Sequence, residues 1–373
     1  MSVRRRVAVI GIAVAIIATA GILYMKPEAL NRTEPLIPNT YRTINGPYSV
    51  VYDFISPTRG WALVSTFTGE SSMFFIFKTT NAAEGWQKQY GGTPGNGRAR
   101  GLHFFDQENG FIYGGDTYRT VDGGDHWDLV QSPGPSAQVW FCSPLEGWGE
   151  VFDSDGLRVY RTVDGGVTWH RSSSDPPEPA REQAFGGDGM PAFRIGGEAW
   201  FGADSQPGAP VLVTRDGGST WNTIHVLPQG PQDEMYATSV RVVGEATVTV
   251  FVTDEGPETG RNQALVSSDG GLHWANVEFP IPGLGSGDVS FVDTEHWWVF
   301  NSDLVFLTGD GGRSWTRSRD FDFATDWRPL DAGAIDASHA WRSLTSTANS
   351  QVAALAMTAD GGSHWRLVNA PEP

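Results

Sequence analysis

Beyond residue 46 the apolar positions fall in short runs, mostly alternating with polar ones, and none recurs at helical spacing. Residues 50–55 form one run and residues 60–64 the next, with a polar turn between them. Residues 289–293 and 296–300 repeat the arrangement, and residues 304–308 add a third run. β-branched and aromatic side chains dominate these runs, which predict strands. The second run of each unit carries a large aromatic: Trp61, Phe111, Trp148, Trp200, the pair Trp297 and Trp298, or Trp341. One unit is poor, with Val248-Thr249-Val250 in that place.

Each third run leads into an eight-residue phrase, Thr/Ser-x-Asp-Gly-Gly-x-x-Trp. Six copies are complete, with Asp122, Asp164, Asp216, Asp269, Asp310 and Asp360 followed by Trp127, Trp169, Trp221, Trp274, Trp315 and Trp365. A seventh, worn copy keeps Thr79, Asn81 and Trp86. Successive tryptophans lie 41, 42, 52, 53, 41 and 50 residues apart. A period of roughly 40 to 50 residues signals a repeat architecture. The spelling has a mechanical reason. An Asp carboxylate accepts backbone N–H groups just downstream and fixes a tight turn, and the glycines take backbone angles closed to side chains with a Cβ. The Trp then opens a fourth strand. Four strands per unit and seven units predict an all-β fold, a seven-bladed β-propeller of four-stranded antiparallel blades. The repeat scheme places thirteen of the fifteen tryptophans in structural positions and leaves out Trp140 and Trp327.

The only long uncharged stretch, residues 7–25, follows Arg4-Arg5-Arg6 and predicts an N-terminal transmembrane or signal helix over residues 1–25. Uncleaved, it anchors the chain in the inner membrane by a single pass, with the arginines in the cytoplasm and the propeller periplasmic. Cleavage after Ala20 would release a secreted or periplasmic protein. Residues 26–46 hold three prolines among polar residues and read as a linker, and residues 47–373 as the propeller. Residues 41–44 have a second reading, an edge strand that helps to close the ring. Residues 1–46 carry six basic and two acidic side chains, which leaves 20 basic and 41 acidic in the propeller, a net charge of −21. Such a domain is repelled by nucleic acid and by anionic lipid. Cys142 is the single cysteine, so no internal disulfide forms.

In a propeller the phrase turns share one face. The loops between second and third strands, and those between blades, share the opposite face, which here receives the longest segments. Function is expected there. The repeated aspartates lie on the wrong face and are committed to turns. Residues 319–330 combine Phe321, Phe323, Trp327 and Arg328 in one connector, a composition suited to an interface hot spot. Arg98, Arg100, Arg181 and Arg261 occupy suitable loops on the same face. Carboxylates there, Asp175, Glu182, Asp233, Asp254, Asp322 and Asp326, support an alternative, an exported glycoside hydrolase or glycan-binding protein, because glycoside hydrolysis uses two carboxyl groups across a cleft. No metal-ligand spacing, phosphate loop or dinucleotide fingerprint appears, so neither metal nor cofactor is expected.

The phrase is the Asp box (BNR repeat) named from sialidases, but the resemblance to them stops at the box. A strand, an aromatic strand and an Asp box, seven times behind an export or anchor segment, resemble the photosystem II assembly and stability factors. That resemblance implies a non-enzymatic scaffold that binds an integral membrane complex, a photosynthetic reaction centre or similar, through its propeller loops, with its N-terminal helix in the membrane.

Overall fold

Box three shows how each turn is made. The Thr162 hydroxyl donates to Asp164 Oδ1 at 2.7 Å and accepts the Gly166 N–H at 3.0 Å. Asp164 Oδ1 also accepts the Thr168 N–H, and Oδ2 accepts the Thr168 hydroxyl at 2.6 Å. Gly165 and Gly166 have φ of +77° and +86°, the left-handed region that glycine enters without strain. The hydroxyl-to-carboxylate bond recurs at Asp122, Asp216, Asp269, Asp310 and Asp360. The worn copy folds the same way, with Asn81 Oδ1 accepting the Thr79 hydroxyl and the Gly85 N–H. Ala82 and Ala83 take the glycine positions there at φ of +56° and +60°.

The computed structural model describes residues 41–373 except 69–70, 94, 96–97, 135–136, 154–155, 177–191, 203–209, 228–234, 255–261, 282–288, 303 and 319–325. The N-terminal helix expected over residues 1–25 lies outside them. Among the described residues no helix is long and apolar enough to cross a membrane. The strands form seven antiparallel sheets, each in chain order. Blade one comprises Tyr48–Phe54, Gly60–Thr68, Ser71–Thr79 and Gln87–Gly92. Blades two to six follow at residues 99–129, 138–171, 192–225, 235–277 and 289–317. Blade seven comprises Trp327–Ala334, Ala340–Ser346, Val352–Thr358 and Arg366–Val368, and gains a fifth strand, Ile44–Asn45, on the outer edge of its third. The end of the predicted linker therefore belongs to the ring.

Blades are joined by aromatic wedges. Trp61 stacks on Phe104 of the next blade at 3.6 Å between ring centroids, and Phe111 on Phe141 at 3.9 Å. The glycine before the second-strand aromatic makes room. A Cβ on Gly60, Gly110 or Gly147 would lie 2.3, 2.6 or 2.7 Å from Phe54, Phe104 or Phe141 respectively. A cation before the box tightens several joints: Lys78 sits over Trp61, Arg161 over Trp148, and Arg215, inside its box, over Trp200. Lys78 and Arg215 also donate to a carbonyl of the next blade's box. The second-strand tryptophans 61, 148, 200, 297 and 298 are fully buried, whereas most box tryptophans are only half-buried. Trp86, Trp169, Trp221 and Trp315 donate their indole N–H to a carbonyl just past the preceding blade's fourth strand.

Blade five breaks this rule and blade six corrects it. By register, Thr249 stands where the other blades place Trp61, Trp148, Trp200 and Trp298. The second glycine of a box normally meets the indole of the preceding blade, as Gly124 meets Trp61, Gly271 meets Trp200 and Gly362 meets Trp298. Gly312 of box six meets its own blade's Trp297 instead, at 2.7 Å. Trp297 occupies the position that Gly60, Gly110 and Gly147 hold elsewhere. Trp297 thus fills the blade five–six joint from the opposite side, and Trp298 fills the next joint in the usual way.

Two outcomes follow from this packing. Trp297→Ala should lose about 3–5 kcal/mol through cavity formation, and adding Thr249→Trp to Trp297→Gly should restore part of that loss in urea denaturation. Thr249→Trp alone should destabilise by about 1–3 kcal/mol through overpacking. The boxes set the acid limit. Hydroxyl bonds from Thr168, Thr220 and Ser314, ahead of their backbone bonds, hold Asp164, Asp216 and Asp310 at about 2. The unfolded value is about 3.9, so their stabilisation is complete above it and is lost as pH falls from about 4 towards 2. Thermal unfolding at stepped pH should show that loss, and Asp164→Asn, copying the native Asn81, should flatten it.

Candidate functional site

Strand direction alternates within each blade, so first–second turns and box turns share one face, and the remaining connections share the other. On that connector face a cleft of about 650 Å³ opens between blades two and three. Its walls are the innermost strands Ala99–Phe104 and Gln138–Phe141 and the turn after Gly110–Gly114. A bulge between Ala99 and Gly101 sets Arg100 out of register with the strand, leaving its side chain exposed while Ala99 and Leu102 point into the core. Arg98 is half-buried, and its Nη2 donates to Ser49 Oγ of blade one at 2.9 Å. The chain turns tightly against it, for a Cβ on Gly114 would lie 2.1 Å from the Arg98 carbonyl oxygen.

His103 is exposed, its Nδ1 3.5 Å from Asp53 Oδ2, which also accepts the Phe104 N–H at 2.5 Å. Tyr113, Trp140 and Phe141 supply aromatic surface. Burial, opposed by a backbone hydrogen bond at Phe141, raises the Tyr113 hydroxyl above its ordinary range and keeps it neutral. Among the described residues two arginines and a histidine line the cleft and no carboxylate does, Asp53 standing behind His103, in a domain with 41 acidic and 20 basic side chains. The arrangement is built to receive an anionic group against an aromatic wall.

Arg98 and Arg100 are thus brought together. Arg328 is exposed on the innermost strand of blade seven, away from them. Arg181, Arg261, Phe321 and Phe323 lie outside the described residues. Trp327, expected at a partner contact, is instead 8% exposed. It packs with Trp298, Phe300 and Leu344 and meets Tyr41 edge-on at 6.4 Å, because it opens a strand at the blade six–seven joint rather than ending a loop. Sequence reasoning missed Trp140, although its place outside the repeat scheme was the available signal.

Of the candidate carboxylates, Glu182, Asp233 and Asp322 fall outside the described residues, as does the Asp254 side chain. Asp175 is engaged by Arg171 at 2.9 Å, and Asp326 is exposed. Burial raises Glu150 well above the ordinary carboxylate range, and neither of its oxygens has a hydrogen-bond partner. It is 3% exposed and does not line the cleft. Among the described residues no group of three or more His, Cys, Asp or Glu side chains is placed to hold a metal ion.

No protein-family model matches the sequence, and no curated protein matches it. Solved structures do match in fold. YCF48 bound to D1 peptide aligns at a TM-score of 0.53 and 14% identity, over 86% of this chain and 99% of that one. YCF48 from Cyanidioschyzon merolae aligns at 0.54 and 14%, over 86% and 98%. An uncharacterized protein from Listeria monocytogenes aligns at 0.53 and 7%, over 90% and 96%. At these identities the likeness is one of fold. The seven-bladed ring of this chain shares the fold of these YCF48 structures.

Proposed function

We propose that this chain is a non-enzymatic assembly or stability factor, or accessory subunit, of an integral membrane complex. In this reading residues 1–25 tether it to the inner membrane, the propeller stands in the periplasm, and the connector face binds a protein segment of the complex. A photosynthetic reaction centre is the partner implied by the family resemblance, and a YCF48 propeller with a bound D1 peptide supplies the precedent for peptide binding by this fold. One observation carries the proposal: in an acidic domain, the described lining of a cleft on the face that the boxes leave free is cationic and aromatic. Glycoside hydrolysis is the second reading: it needs two carboxyl groups beside the scissile bond, and among the described residues that line the cleft there are none.

The test is co-purification of tagged protein with its partner from native membranes in mild detergent. Arg100→Ala, Arg98→Ala and Trp140→Ala should each reduce the retained partner about tenfold or more, as expected for losing a charged or aromatic anchor. Arg100→Ala should leave thermal stability within about 0.5 kcal/mol, as for an exposed position. Full retention by all three variants would refute the cleft as the docking site.

A further inference from the structure

Blades two to seven are each joined to the preceding blade by a chain connector. Blades seven and one have no connector between them; Tyr52 and Phe54 pack on Trp341 across that joint, and residues 41–46 lie along blade seven. There Ile44 pairs with Ala353 and Asn45 with Val352. The Gly46 N–H donates to the Gln351 carbonyl at 2.9 Å, and the Ala370 N–H to the Arg42 carbonyl at 2.9 Å. The Arg42 N–H reaches Asn369 Oδ1, also at 2.9 Å. Asn369 in turn holds blade one, accepting the Trp86 indole N–H on its carbonyl and donating from Nδ2 to the Glu84 carbonyl. Ile44 is 2% exposed among Tyr52, Leu355, Met357 and Val368. These residues form a clasp.

The same segment runs on without a break into Tyr48–Phe54, the innermost strand of blade one. That strand positions the near wall of the cleft at both ends. Ser49 accepts Arg98, while Asp53 accepts the Phe104 N–H and stands beside His103. The second strand of blade one adds Ser65, whose hydroxyl donates to the Ala99 carbonyl at 2.9 Å. The clasp is three residues from the serine that anchors Arg98.

We propose that seating of residues 41–46 on blade seven regulates the cleft. With the clasp closed, blade one holds Arg98 and His103 in place for an anionic segment. With it open, the strand Tyr48–Phe54 loses its fixed end and the cleft loses its near wall. The clasp is the two-state element of this proposal. The inference rests on the cleft as the docking site.

The probe is a fluorescein-labelled hexaglutamate peptide, titrated into detergent-solubilised full chain, with hydrogen exchange followed over residues 351–355 and 369–371. Coupling is reciprocal, so saturating peptide should slow exchange in both segments of the unmodified protein. Ile44→Asp, which puts a charge in the buried seat, should speed that exchange and weaken peptide binding about fivefold or more. Ser49→Ala should weaken binding while leaving exchange over 351–355 unchanged. Saturable binding that leaves exchange unaltered, or Ile44→Asp opening the clasp at undiminished affinity, would overturn the regulation and leave the cleft standing. Absence of saturable binding to the unmodified protein would instead overturn the cleft, and this inference with it. The unmodified protein decides the matter even if Ile44→Asp fails to fold.

Discussion

The ring rests on one contact repeated from blade to blade, a flat aromatic of the second strand laid against the first strand of the next sheet. A buried aromatic removes some 150–250 Å² from water, at about 25 cal/mol per Å². No other element of the blade brings comparable apolar surface across a joint. In blades one to three the contact has a glycine beside it, because the neighbouring phenylalanine lies where a Cβ would stand. Trp61 on Phe104 and Phe111 on Phe141 are the closest cases. Blade five shows how strictly the joint must be filled. Thr249 leaves the space vacant, and Trp297 enters it from blade six.

The Asp boxes serve a different purpose. Each satisfies its own turn within eight residues, so third and fourth strands pair without help from neighbouring blades. Their carboxylates are held low by hydroxyl and backbone bonds and are occupied. The box face is thereby spent on architecture. The variable loops lie on the connector face, where a bulge turns Arg100 outward. The closing strand at residues 44–45 links the two levels, since it completes blade seven and leads directly into the strand that anchors the cleft.

Much of this was legible in the primary structure. The box is made of bonds between residues at most six positions apart, so its presence in the chain is nearly its presence in the fold. Blade number and the sheltered role of the repeated aspartates follow from it. So does the grouping of the connections by face, because strand alternation is a matter of counting. Arg98 and Arg100 could be named because both lie in one short connector.

What escaped the sequence depends on contacts between blades. Trp140 and Trp327 are alike in standing outside the repeat, yet one lines the cleft and the other is core. The difference is which side of a joint each ring enters. The meaning of Trp297-Trp298 required knowing that Thr249, some 50 residues earlier, faces the same space. The seating of Ile44 required the partner strand at Ala353, more than 300 residues away in the chain. Local hydrogen bonds and side-chain period are written in consecutive residues, and those determined the blades. The closure of the ring, the filling of each joint and the convergence of cationic side chains in one cleft arise only when distant strands meet, and the tertiary structure decided them.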